Sequence, residues 1–224
     1  MANGMKLRAY PGCVESSLAF YVRWPDRPEI EWLRRFLRPG EVVVDVGANI
    51  GVWSLLLADV VGPENIMALE AGRVAAARLR ENFSLNGMAA SQVLEAAAGS
   101  KEGEVEFPDD DSPETGATVL QASGVGPKRK VRQVTLHGVL AKVRPTIGLI
   151  KIDVEGAEPE VLQGAVEILR QRRPRVVLFE SFWGEHLDKC LKILKECGYS
   201  TTPGPTVPTP CSSPQNHFAF PEKQ

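Results

Sequence analysis

Residues 42–51 read VVVDVGANIG: a β-branched run broken only by Asp45, then a loop with glycines at Gly47 and Gly51. Such a run marks a strand buried on both faces of a parallel sheet. Glycine lets the chain turn sharply and brings backbone against a ligand with no Cβ in the way. A helix opens at about Val52, and the free N–H groups at its start suit a carboxylate or a phosphate. Nineteen residues beyond Gly51, at the end of the next strand-like run, stands Glu70. A carboxylate there can accept hydrogen bonds from both ribose hydroxyls of an adenosine-type cofactor lying across the carboxyl ends of the strands.

Outward from this loop, strand-like and helix-like segments alternate. Residues 66–70, 92–96, 147–154 and 175–180 read as further buried strands. Ala157, Val161, Leu162, Ala165, Ile168 and Leu169 recur at helical spacing, with Pro159 tolerated in the first turn. Leu187, Cys190, Leu191, Leu194 and Cys197 repeat that stripe. Alternation of this kind implies right-handed β-α-β crossovers and a doubly wound α/β sheet. Residues 199–202 and 216–220 close the chain as two strands, joined by a Pro-rich loop too short for a crossover helix. They are expected to pair antiparallel as a hairpin. Residues 1–40 read as an N-terminal extension or lid that includes a helix with Ile30, Leu33 and Leu37 on one side; residues 41–224 form the main domain. Residues 108–132, with Asp109 to Asp111 in a row and the run Lys128-Arg129-Lys130, read as a long functional loop able to cover a site.

Bulk composition narrows the class. The 224 residues carry a formal net charge of −2, with 43% hydrophobic and 24% charged residues. That balance argues against a strongly basic nucleic-acid binder and against a highly charged disordered chain. No stretch approaches the roughly 20 apolar residues of a membrane span, and residues 1–8 have no signal-peptide core. Cys13, Cys190, Cys197 and Cys211 form no CxxC pair, so reduced thiols in a cytoplasmic protein are expected. No histidine pair has metal-ligand spacing, and no metal is expected.

Two cofactors meet the description of the first loop. A nicotinamide dinucleotide calls for GxGxxG, whereas here Asn49 lies between Gly47 and Gly51. S-adenosylmethionine fits better, with an acid ahead of the loop and an antiparallel hairpin closing the sheet. Taken only as scaffold, the glycines would shape a tight strand–helix turn.

The residues also resemble a known family. Asp45-Val46-Gly47-Ala48-Asn49-Ile50-Gly51, together with Ile150-Lys151-Ile152-Asp153-Val154-Glu155-Gly156-Ala157-Glu158, is similar to the FkbM-type S-adenosylmethionine-dependent methyltransferases. The stretch ARLRENFSLNG (77–87), Thr135-Leu136, residues 174–180 and residues 216–221 match the same pattern. Ala71-Gly72-Arg73 and His137-Gly138 depart from it, both beside the expected ligand pocket. The resemblance implies a Rossmann-like class I methyltransferase with a seven-stranded, mostly parallel sheet. It implies S-adenosylmethionine held by Asp45, Gly47, Ala48, Asn49, Gly51, Glu70, Ala71 and Asp153. The implied acceptor is a hydroxyl on a small molecule, sugar or natural product.

Within the second motif, Asp153 faces the crevice and could bind the methionine amino group or take a proton from the acceptor. Glu155 and Glu158 also suit a helix start, where the macrodipole favours acids; Glu155 stands between that role and catalysis. Lys151 is expected to alternate away from Asp153 as a partly buried or snorkelling cation. Glu180 reads as a cap, an ion-pair partner or a substrate contact. His186 lies close enough to the fifth strand to act as a base, with His137 a further candidate, and Asp153, Glu155 and His186 make up the catalytic set. An RNA methyltransferase would need a basic face, for which only Lys128–Arg132 and Arg170–Arg175 are candidates, and both read as solvated surface. A non-catalytic adenosine-binding protein of the same fold is the remaining alternative.

Overall fold

The structure is a computed structural model and describes residues 1, 3–11, 13, 16, 27–109, 127–171, 173–181, 184–203 and 215–222. Helix α1 (Arg27–Phe36) leads into β1 (Val42–Val46), α2 (Val52–Val61), β2 (Ile66–Glu70) and α3 (Arg73–Ser84). Then follow β3 (Val93–Glu95), β4 (Ala97–Ala98), β5 (Gly103–Pro108), β6 (Lys128–Val134) and α4 (Leu136–Leu140). The chain continues through β7 (Ile147–Ile152), α5 (Glu158–Gln163), α6 (Val166–Arg170), β8 (Pro174–Ser181), α7 (Glu185–Glu196), β9 (Tyr199–Pro203) and β10 (Gln215–Pro221). None of the described helices is long and apolar enough to cross a membrane.

Seven strands form the main sheet in the order β3-β2-β1-β7-β8-β10-β9. The first five run parallel, and β10 pairs antiparallel with both β8 and β9. The expected doubly wound sheet with its closing hairpin is therefore present. Each face carries its own core. Val44, Val46, Ile150, Ile152, Val177 and Phe179 pack towards α4–α7. Val43, Ala68, Leu149, Val176, Leu178 and Phe218 pack towards α1–α3. Every residue of β1 and β7 is buried, which explains why both read as apolar runs interrupted only by Asp45 and Lys151.

Helix α1 joins the second core through Ile30, Leu33 and Leu37. Trp32 and Phe36 stack with centroids 4.7 Å apart, and Trp32 also meets Phe218 and Phe220 of β10. At its base Glu41 binds Arg175 at 2.5 Å, and that guanidinium lies 4.3 Å over the Phe36 ring. Residues 3–10 run alongside α2 and α3, where Asn82, fully buried, holds them. Its Oδ1 accepts the N–H of Arg8 and its Nδ2 donates to the Ile50 carbonyl, both at 2.8 Å.

Three expectations need correction. Residues 128–132 are not loop: β6 pairs antiparallel with β5 and parallel with β4, making a separate three-stranded sheet. Val131 and Val134 turn inward while Lys130 and Arg132 stay exposed, so the strand is half-solvated. Residues 110–126 and 204–214 of the expected long loops lie outside the described residues. The stripe at 157–169 is two helices, because the Gly164 carbonyl turns to the N–H of His137 at 3.0 Å. A Cβ at Gly164 would lie 2.0 Å from the Gly99 carbonyl oxygen, so that position needs glycine. Finally, Lys151 does not alternate away from Asp153; residues two apart in a strand share a face, and their side chains meet at 3.0 Å.

Arg34 fixes α1 to α2 through a forked pair with Asp59, at 2.6 and 2.7 Å. The pair holds the Asp59 carboxyl below its ordinary range. A carboxylate bound more tightly in the folded chain stabilises the fold above its unfolded pKa and loses that effect as pH falls through its folded one. Asp59→Asn should therefore lower stability by about 0.5–1 kcal/mol at pH 7. In urea titrations the gap between variant and parent should close as pH drops below about 4.

Candidate active site

The alternation that builds the two cores also gathers the polar residues. Asp45, Glu70, Lys151, Asp153 and Glu180 all share the parity of the α2-facing apolar side chains, and all stand at or near the carboxyl ends of adjacent strands. Asp45 pairs in register with Lys151. The chain leaves β1 through Gly47 (φ 73), Asn49 (φ 53) and Gly51 (φ 90), all left-handed, before α2 begins. Closeness demands glycine here: a Cβ on Gly47 would lie 1.8 Å from the Asp153 carbonyl oxygen, and one on Gly51 would lie 2.5 Å from Leu79 Cδ1. The Gly47 and Ala48 N–H groups both donate to the Leu69 carbonyl at 3.0 Å, tying the loop to β2.

Lys151 sits at the centre, 6% exposed. Its ammonium lies 3.0 Å from Asp153 Oδ2 and 3.6 Å from Asp45 Oδ1, donates to the Gly47 carbonyl at 3.4 Å, and stands 5.8 Å from the Trp53 ring centroid. Asp45 is 1% exposed, and its other oxygen accepts from both the N–H and the hydroxyl of Ser54 at the start of α2. Glu70 is half-buried; its two oxygens accept the N–H groups of Asn49 at 2.8 Å and Gly72 at 2.7 Å. Each oxygen keeps a second lone pair for a ligand. Burial raises the Glu70 pKa against these bonds. Asn49 Oδ1 is buried and accepts no hydrogen bond from the described residues.

Asp153 is partly exposed. Burial works to raise its pKa, but Lys151 and a hydrogen bond with Glu180 prevail and hold it below the ordinary carboxylate range. Glu155 is exposed at φ 54, and its pKa is raised by desolvation and by the charges of Asp153 and Glu158. Glu158 is 2% exposed and binds the N–H groups of Val154 and Gly156 at 3.0 and 3.2 Å. His186 engages both ring nitrogens, Nε2 on the Gly156 carbonyl and Nδ1 on Ser181 Oγ at 3.3 Å. His137 is exposed on α4, and His217 is buried against Phe179 at 5.2 Å between ring centroids.

Ala71 sits beside Glu70 and is packed by the small sheet, alongside Ala97, Phe107 and Val131. Arg129 of β6, read from sequence as solvated surface, donates to the Ala71 carbonyl and pairs with Glu95 at 3.6 Å. Lys151, Ser54, Asn82 and Arg129 were not singled out as site-shaping residues. For Lys151 the signal was available: a lone lysine two residues before an aspartate in an otherwise apolar strand.

Gly47→Ala should cost about 3–5 kcal/mol, from left-handed strain together with the clash on Asp153. Lys151→Met should cost a similar ~3–5 kcal/mol, because it leaves Asp45 buried without its counter-charge. Thermal and urea unfolding of both variants measure this directly.

The sequence pattern of the methyltransferase FkbM domain matches residues 45–201. Methyltransferase FkbM from Methylobacillus flagellatus KT is similar in structure, with a TM-score of 0.53 and 18% identity over 86% of this chain. This chain spans about half the length of that protein, 50%. An rRNA methylase from Streptococcus thermophilus gives a TM-score of 0.57 at 11% identity, covering 89% of this chain and 98% of its own. Magnesium protoporphyrin IX methyltransferase from Synechocystis, solved with bound S-adenosylmethionine, gives 0.51 at 11% identity over 87% of this chain and 76% of its own. No curated protein matches the chain by sequence. These neighbours share the Rossmann-like class I fold, and with the domain pattern spanning most of its length the chain belongs to the FkbM methyltransferase family.

Proposed function

We propose that this protein is an S-adenosylmethionine-dependent methyltransferase that methylates a hydroxyl on a small molecule or glycan. The observation that carries the reading is the pair of carboxylates flanking the glycine loop on one sheet face. Glu70 is fixed by two backbone N–H groups, and Asp153 is held anionic by Lys151. Free lone pairs on Glu70 suit a ribose diol, and Asn49 Oδ1, which accepts no hydrogen bond from the described residues, offers a further acceptor. Gly47 and Gly51 seat the loop closely on Asp153 and Leu79, which fixes where its backbone meets a ligand. Ala71 and its apolar neighbours supply a surface for a flat base. Asp45 acts from beneath, through Ser54 and Lys151.

When bound, the cofactor supplies a methyl group already activated by the positive charge on sulfur. The protein's remaining tasks are alignment, exclusion of water and removal of the acceptor proton. Asp153, with its lowered pKa, is a weak base and a good partner for an ammonium group, so it holds the amino end of the cofactor. Glu155, its pKa raised by desolvation and by the charges of Asp153 and Glu158, is the stronger base of the two. We assign it the acceptor proton, with Glu180 beside Asp153 as a contact for acceptor hydroxyls. The acidic wall of Asp153, Glu155 and Glu180 favours a hydroxyl-rich acceptor over a polyphosphate chain, which supports the small-molecule reading over RNA.

Calorimetric titration should show binding of S-adenosylmethionine and none of NAD, with Glu70→Ala weakening the former at least tenfold. Absence of binding by the parent protein would remove the cofactor assignment. In turnover assays against hydroxyl acceptors, Glu155→Gln should lower kcat by about 100-fold or more with little change in the cofactor's KM. Because an ionised Glu155 is the active form, activity should rise with pH through its raised pKa and lose that limb in the variant. A shift in KM alone would move the base elsewhere.

A further inference from the structure

We propose that Glu158 and His186 are positioning residues that together clamp the turn presenting Asp153 and Glu155. The inference rests on the roles assigned to those two carboxylates. Strand β7 ends at Ile152 and α5 begins at Glu158, so five residues must reverse the chain above the sheet. Two of them in succession are left-handed, Glu155 at φ 54 and Gly156 at φ 107. A left-handed non-glycine residue persists where its surroundings hold it.

The holding groups come from two elements. Glu158 is sealed from solvent and points backwards out of its own helix. One oxygen takes the N–H groups of Val154 and Gly156, both ahead of α5. Besides its own N–H at the helix start, the Glu158 carboxylate thus serves the turn before it. From α7, thirty residues along the chain, His186 Nε2 reaches the Gly156 carbonyl. An N–H at that nitrogen donates to the carbonyl, and Nδ1 meets the Ser181 hydroxyl at 3.3 Å. Gly156 is thereby gripped at its N–H by one residue and at its C=O by the other. The second Glu158 oxygen accepts no hydrogen bond from the described residues and lies 3.8 Å from His186 Nδ1, so the two halves of the clamp adjoin. With both ring nitrogens committed, His186 acts on the reaction through the turn.

The test pairs amide hydrogen exchange with cofactor binding. Glu158→Ala should speed exchange at Val154 and Gly156 at least tenfold and weaken S-adenosylmethionine binding about tenfold. Glu158→Gln should restore both, since its amide oxygen can accept the same two N–H groups. His186→Ala should also weaken cofactor binding several-fold; a residue acting only as base would lower kcat and leave that affinity unmoved. Unchanged exchange and unchanged affinity in Glu158→Ala would overturn the proposal, as would a His186→Ala variant altered in kcat alone. If Glu158→Ala does not fold, His186→Ala and Glu158→Gln carry the test. If the parent protein binds no S-adenosylmethionine, the cofactor reading falls while exchange at Val154 and Gly156 still decides the clamp.

Discussion

A single ammonium group buried among carboxylates organises the molecule around its crevice. Taking Lys151 out of water is expensive, and the cost is offset only if its partners are placed to receive it. Asp45 on β1, Asp153 beyond β7 and the Gly47 carbonyl between them supply that placement. The charge therefore does more than neutralise two acids. It joins the two central strands at their carboxyl ends, fixes where the glycine loop leaves the sheet, and keeps Asp153 ionised. Removing the lysine would disturb the loop, the strand pairing above it and the charge of the crevice together.

Close packing of backbone on backbone completes the arrangement. Gly47 sits against the Asp153 carbonyl and Gly164 against the Gly99 carbonyl, each nearer than any side chain would allow. The first contact seats the glycine loop against the end of the neighbouring strand. The second lies where a helix divides and the Gly164 carbonyl turns to the start of α4. Both trade side-chain contacts for a shape, and in both the trade lies on elements that lead to the crevice.

The parallel sheet was legible because its central strands are buried on both faces and therefore spell nearly continuous apolar runs. The closing hairpin followed from the shortness of the tail, and the glycine loop with Glu70 followed from spacing. The small second sheet was not legible. Its strand KRKVRQV presents charges to solvent and turns few apolar residues inward, so it resembles a solvated basic run. The helix break at Gly164 goes with partners at His137 and Gly99, far away in sequence, and no local pattern reports them. Lys151 faces the same way as Asp153, since residues two apart in a strand share a face, and that much is readable from spacing alone. Glu158 and His186 were visible as residue types, but the turn they hold depends on φ angles that composition does not encode.

Asn82 has a consequence for how the protein is handled. One buried amide spans the gap between the segment at Arg8 and the Ile50 carbonyl in the glycine loop, spending its oxygen on one and its nitrogen on the other. The segment at Arg8 is thus mechanically continuous with the glycine loop at the heart of the fold. A tag, cleavage scar or truncation close to Arg8 pulls on the same side chain that steadies Ile50. Choices usually made for convenience of purification would then be read out as changes in ligand affinity.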